Sequence, residues 1–273
     1  MRAPVLAAAI AFALLTPPTL AQQRPPPGPR PTLPPDAGTT ADARLLRAID
    51  LYTGVAGRVD DGAARALLEA VGSDGSDPLA RMWIARVHSR GRMTFERDEA
   101  RAAALAAEVI TEVRSLAAAG DVEAQFLMGT AYDEGLGVRT DYGEAMRWYR
   151  RAAARGHVLA THNVGNMHRD GRGVDIDHAL AAMWWLRAAR AGDAIPALRL
   201  GEAFEAGRGV TRDLERARFW YGRAADRGNP SAPAALRRLG GSAEARSQRG
   251  PTASRGSSTR LSADHDGRIG GPG

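Results

Sequence analysis

Residues 120–155 read GDVEAQFLMGTAYDEGLGVRTDYGEAMRWYRRAAAR, and this phrase of 36 residues returns twice in register. Its landmarks are Gly135-Leu136-Gly137-Val138, Gly171-Arg172-Gly173-Val174 and Gly207-Arg208-Gly209-Val210. Asp141, Asp177 and Asp213 follow each loop, then Trp148, Trp184 and Trp220, then the pairs Ala152-Ala153, Ala188-Ala189 and Ala224-Ala225. A period of this length marks a stacked repeat array, in which each unit buries its apolar face only against its neighbours.

One unit predicts two helices. Asp121 caps the first, where Ala124, Leu127, Met128, Ala131 and Tyr132 recur at helical spacing. Gly135 and Gly137 end it and allow the positive φ of a tight reversal, and Val138 plugs the loop. Asp141 with Glu144 forms a capping-box pattern for the second helix, whose inner face is Ala145, Trp148, Tyr149 and Ala152. Gly129, Gly165 and Gly201 stand mid-helix at a cost of about 1 kcal/mol each relative to Ala. Close approach of the second helix, with Ala152 or Ala153 opposite, is the expected reason. The Trp column is expected to fill the space between hairpins. Pro196 falls in a first helical turn, where its missing N–H is tolerated.

The pattern resembles the Sel-one-like repeat (SLR) family, a branch of the tetratricopeptide-like α/α solenoids. The resemblance rests on Ala124, Gly129, Tyr132, Gly135, Gly137, Val138, Asp141, Ala145, Trp148, Tyr149, Ala152, Ala153 and Gly156 and on their equivalents in the next two units. It implies an all-α fold, a right-handed α/α solenoid of stacked helical hairpins, with disordered N- and C-terminal segments. It also implies a scaffold or adaptor for proteins, in some members a regulator of envelope or exopolysaccharide signalling. The Cys-rich branch of the family is not a guide, because this chain has no Cys.

Around the three regular units the organisation is expected as follows. Residues 1–21 are an export signal: Arg2, an apolar run from Val5 to Leu15, and a small-residue site for cleavage after Ala21. The run is too short to span a bilayer, so no membrane span remains after cleavage, and the destination is periplasmic or secreted. Residues 22–40 are a Pro-rich spacer. Residues 41–119 are divergent helical repeats, in which Ala80–Gly91 aligns with Ala124–Gly135 and Asp98 takes the capping role. Residues 120–240 hold the three regular repeats and a capping helix, and 241–273 form a Gly-, Ser- and Arg-rich tail.

The residues offer little chemistry. All 37 basic residues are Arg, the net charge is +6, and the charges of both signs alternate along helix faces instead of forming the stripe a nucleic-acid binder needs. His157, His162 and His168 diverge around their helix, and His178 starts the next one, so no metal site is expected. His265, in the tail, is expected to be solvated. Asp133-Glu134 end a helix without a specified partner. The sequence contains no catalytic motif and implies no cofactor. The reading is therefore a non-catalytic scaffold whose protein partner sits on the concave face of the solenoid. A glycan- or peptidoglycan-binding protein is the alternative, and an enzyme the weaker one. No partner-binding residue is assigned; Gln125 and Asp133 are candidates by geometry alone.

Overall fold

A computed structural model describes residues 42–248, apart from positions 56 and 74. The expected export signal, the spacer and the tail beyond residue 248 lie outside the described residues. The described residues form eleven helices. Five antiparallel hairpins pair α1 (Ala43–Thr53) with α2 (Asp61–Gly72), α3 (Pro78–Arg90) with α4 (Glu99–Ala119), α5 (Val122–Glu134) with α6 (Tyr142–Ala154), α7 (Val158–Asp170) with α8 (His178–Arg190), and α9 (Ala194–Ala206) with α10 (Leu214–Asp226). The last helix, α11 (Ala232–Gln248), packs on α10 and continues well past Leu239. Each second helix packs against the first helix of the next hairpin, and α5 also touches both α3 and α7 directly. The result is an α/α solenoid whose first helices line one wall.

The hairpin loops share one device. The side chains of Asp60, Asp98, Asp141, Asp177 and Asp213 accept from backbone N–H groups in the first turn of the second helix. Their own N–H groups donate across the hairpin to the carbonyls of Leu51, His88, Tyr132, His168 and Phe204, at 2.8–3.0 Å. This latch replaces the expected capping box. The Asp141 N–H is already used by Tyr132, and the Glu144 carboxylate turns instead to Arg147.

The second glycine of each loop does more than turn the chain. A Cβ at Gly137, at φ +66°, would meet the Ala106 carbonyl oxygen at 2.9 Å, and one at Gly173 or Gly209 would collide with the backbone of Tyr142 or His178. Each loop therefore lies directly on the second helix of the preceding hairpin. Val138 and Val174 pack half-buried against the core, and Val210 is buried.

Two expectations about packing are corrected. First, the mid-helix glycines do not face the Ala pair. A Cβ at Gly129 would lie 2.5 Å from the Tyr149 ring, one at Gly165 would lie 2.6 Å from the Trp185 ring, and one at Gly201 would strike Tyr221. An aromatic ring, not a methyl group, packs on the bare backbone. Second, the expected Trp148, Trp184, Trp220 column is buried only at Trp220. Trp148 and Trp184 are only half-buried at the edge of the core, while their successors Tyr149 and Trp185 are buried; in the third repeat both Trp220 and Tyr221 are buried. The rings that join hairpins come mainly from the first helices. Tyr52 meets Trp83 edge-on at 6.5 Å, Trp83 meets Phe126 at 5.6 Å, and Phe126 stacks on His157 at 4.5 Å.

The two ends of the array touch. The Val59 N–H, in the loop of the first hairpin, donates to the Arg227 carbonyl at the end of α10 at 2.8 Å. The Arg227 guanidinium Nη1 donates back to the Gly54 carbonyl at 3.1 Å.

Three outcomes are expected. Gly129→Ala should lower stability in urea titration by about 1–2 kcal/mol, because overpacking against Tyr149 outweighs the propensity gain. Gly222→Ala, whose Cβ meets nothing within 4 Å, should raise it by about 0.5–1 kcal/mol. Arg227→Ala should speed hydrogen exchange at the Val59 amide while leaving α5 and α6 as protected as before; unchanged Val59 exchange would mean the clasp is not held by this side chain.

Candidate functional site

The polar side chains sort into those that hold the solenoid and those that face a groove. His157 belongs to the first group. It stands where Asp121 and Asp193 stand in the flanking repeats, and like them it caps a helix: its Nδ1 accepts the Ala160 N–H at 3.1 Å. That bond leaves Nε2 to carry the proton, which it donates to Glu123 at 3.0 Å. The other Glu123 oxygen accepts the Trp83 indole N–H at 2.7 Å. Three hairpins are thus tied through one buried carboxylate.

The remaining histidines do not converge. His162 Nδ1 lies 3.2 Å from Asp193. His168 is buried with neither ring nitrogen hydrogen-bonded; burial, followed by the Arg150 charge, holds its pKa below the ordinary value. His178 is exposed at the start of α8, and His265 lies outside the described residues. Among the described residues no group of three His, Cys, Asp or Glu side chains could hold a metal ion. Gln125, a geometric candidate for partner binding, is buried and donates to the Ala117 carbonyl at 3.3 Å. It fastens α4 to α5 and does not face the groove.

The groove lies along the C-terminal halves of α3, α5 and α7, with a volume of about 450 Å³. Arg86 and Arg90 come from α3, Asp133 and Glu134 from α5, and Asn163, Asn166, Arg169 and Asp170 from α7; Arg92, Arg172 and Tyr142 complete it from the loops and the start of α6. Asp133 therefore does line a concavity, and Asp133-Glu134 do have partners. Asp133 pairs with Arg172, and Glu134 accepts from Arg92 Nη2 and from the Ser89 hydroxyl, both at 2.5 Å.

These pairs sit in partly dry surroundings, which sets their protonation. Burial raises the Glu134 carboxyl pKa, but Arg92, Arg86 and the Ser89 hydroxyl outweigh it and hold the pKa below the ordinary value. For Asp133 burial wins over Arg172, with Glu134 adding repulsion, so its pKa is raised. The Arg92 guanidinium loses hydration on burial but gains more from Glu134, and its pKa rises. Arg86 is different. Burial and the nearby Arg92 charge lower its pKa, and its Nε and Nη1 have no hydrogen-bond partner.

Sequence reasoning missed the arginines of this groove. One signal was available: the variable position of the Gly-x-Gly loop, and its counterpart Gly91-Arg92, carries Arg92, Leu136, Arg172 and Arg208 in successive hairpins. Arg92 and Arg172 reach the groove, while Leu136 is buried in the core.

Glu134→Gln is expected to cost about 1.5–3 kcal/mol near neutral pH, because Arg92 loses a charged acceptor. A carboxyl whose folded pKa is depressed stabilises above its unfolded value, about 4.5, and that contribution disappears as pH falls through the lower folded value. Urea midpoints measured downward from pH 5 should therefore fall less steeply for Glu134→Gln than for wild type; parallel slopes would contradict this origin.

With the geometry in view, comparison with known proteins gives three consecutive matches to the Sel1 repeat family model, over residues 122–157, 158–193 and 197–229. No curated protein matches the chain. Among solved structures, a Sel1 repeat protein from Oxalobacter formigenes is 39% identical over 47% of this chain and 96% of its own, with a TM-score of 0.44. The protein c5321, a protective antigen present in uropathogenic Escherichia coli strains that displays an SLR fold, is 26% identical over 71% of this chain, with a TM-score of 0.46. The chain spans 47% of that antigen's length. Helicobacter pylori cysteine rich protein B is 16% identical over 47% of this chain and 92% of its own, with a TM-score of 0.39.

Proposed function

Because the chain belongs to the Sel1 repeat family, we propose that it is an interaction scaffold whose protein partner lies in the groove along α3, α5 and α7. Sel1-repeat proteins bind protein partners and are generally non-catalytic. The observation that carries the placement is the groove itself: a concavity on the wall of first helices, lined almost wholly by charged and amide side chains from three hairpins. Such a surface supplies directional contacts over an extended partner, and its mixed signs favour a protein over a uniformly charged polymer.

The proposed setting is the bacterial periplasm or the exterior. The run Val5–Leu15 and the small-residue site ending at Ala21 support export, and the three solved relatives come from bacteria. Among the described residues no helix is long and apolar enough to cross a membrane. A regulatory role in envelope or exopolysaccharide signalling is the corresponding cellular reading. The glycan alternative needs open aromatic faces. The half-buried indoles of Trp148 and Trp184 instead have Arg151 and Arg187 over their rings at 4.6 and 5.8 Å, which occupies the surface a sugar would use.

The protein recovered from an exporting cell should begin at Gln22. A photo-crosslinking residue at Asn163 should join one specific envelope protein, while the same group at the exposed Arg218 of α10 should not. Retention of the intact protein N-terminus would refute export by cleavage. Equal crosslinking at both positions, or retention on purified sacculi with no protein captured, would refute the groove as the site of a protein partner.

A further inference from the structure

The chemistry of the partner can be read from one side chain, provided the groove is the docking site proposed above. Arg86 is only 4% exposed, yet it lines the groove. Its guanidinium lies over the Trp83 ring at 4.4 Å, with Phe126 at 5.3 Å and Tyr52 at 5.8 Å. Those rings balance part of its charge but accept none of its hydrogen bonds in the usual geometry. Nε and Nη1 remain without a partner. The nearby carboxylate, Glu134, is already engaged by Arg92 and Ser89. A largely buried, charged donor group with an unmet need for acceptors is destabilising unless something supplies them.

The surroundings narrow what can do so. One turn further along α3, Arg90 is half-exposed and only 3.7 Å from Glu134, a loose pairing. Five arginines face three carboxylates in the groove, which leaves it net positive. Asp133, Glu134 and Asp170 are interleaved with the arginines, so a string of closely spaced phosphates would be forced onto like charges. Separated single carboxylates avoid them. On the opposite wall Asn163 carries both a donor and an acceptor, and Asn166, whose Oδ1 already accepts the Trp185 indole N–H at 3.1 Å, adds its amide N–H groups as donors for an extended peptide backbone.

We propose that the groove binds an acidic peptide segment of the protein partner, one of its carboxylates meeting the Arg86–Arg90 edge of α3. Arg86 is held ready by the aromatic rings, so little side-chain entropy is lost when the acid arrives. Arg90 steers it from the rim.

The test uses the full chain and a fluorescein-labelled peptide of alternating Glu and Ser, followed by fluorescence anisotropy at about 0.15 M salt. The same peptide with Gln for Glu should bind at least about tenfold more weakly. Arg86→Met, which keeps an apolar side chain against the rings, should abolish that preference. Arg90→Gln, at a site exposed enough to leave the fold intact, should reduce the affinity about threefold, and Arg147→Gln, exposed on α6, should leave it unchanged. Equal binding of the Glu and Gln peptides, a preference that survives both the Arg86 and Arg90 substitutions, or tighter binding of single-stranded DNA of equal length would each overturn the proposal. If Arg86→Met misfolds by circular dichroism, the Arg90 variant alone decides. Capture of the envelope partner equally by wild type and Arg86→Met would leave the scaffold role standing and eliminate only the carboxylate.

Discussion

The contact on which the stack depends is an aromatic ring packed against a helix that has no side chain at that point. Tyr149 on Gly129, Trp185 on Gly165 and Tyr221 on Gly201 bring the two helices of a hairpin together while keeping a large apolar surface between them. Any Cβ at the glycine pushes the ring, and with it the second helix, outward. Because each second helix is also the platform for the next hairpin, an error there would be passed along the array. The helix-propensity penalty of a mid-helix glycine is small beside that consequence.

Separation between hairpins is set by backbone and not by side chains. The second loop glycine rests on the preceding second helix at a distance no Cβ could occupy, and the Asp latch fixes the loop's height above its own helices. With spacing fixed in this way, the rings of the first helices can join successive repeats, from Tyr52 through Trp83 and Phe126 to His157. The clasp between Val59 and Arg227 then limits how far the array can uncoil. A groove built on three different hairpins needs all of these restraints, since none of its walls is covalently close to another.

What could be read from the sequence was whatever repeats. The helices, the Asp caps and the loop turns follow from local rules, and the local rules are written three times. The identity of the ring against each glycine was not legible. Trp148-Tyr149, Trp184-Trp185 and Trp220-Tyr221 each offer two adjacent aromatics, and helical spacing alone cannot rank neighbours separated by about 100°. Only the packed structure shows that the second of each pair lies against the glycine. The cap at His157 was missed for a related reason: histidine is not a usual capping residue, although its register, shared with Asp121 and Asp193, already specified a cap.

The groove was harder to see because it is made from positions where the repeats disagree. At the residue before the second loop glycine, Arg172 turns to Asp133 of the preceding repeat, whereas the Leu at the same register, Leu136, folds into the core. Arg92 in the divergent hairpin does for Glu134 what Arg172 does for Asp133. Each ion pair joins a loop of one hairpin to a helix of another, so the charged lining is an inter-repeat product with no signature inside any single unit. A repeat array keeps its shape through the residues it repeats and acquires a binding identity through the few it varies. In this chain those variations place a buried, incompletely satisfied arginine beside an open, mixed-charge wall. An apolar residue of similar length would pack against the same rings without the desolvation cost of a buried charge, so the stability of the fold does not require Arg86.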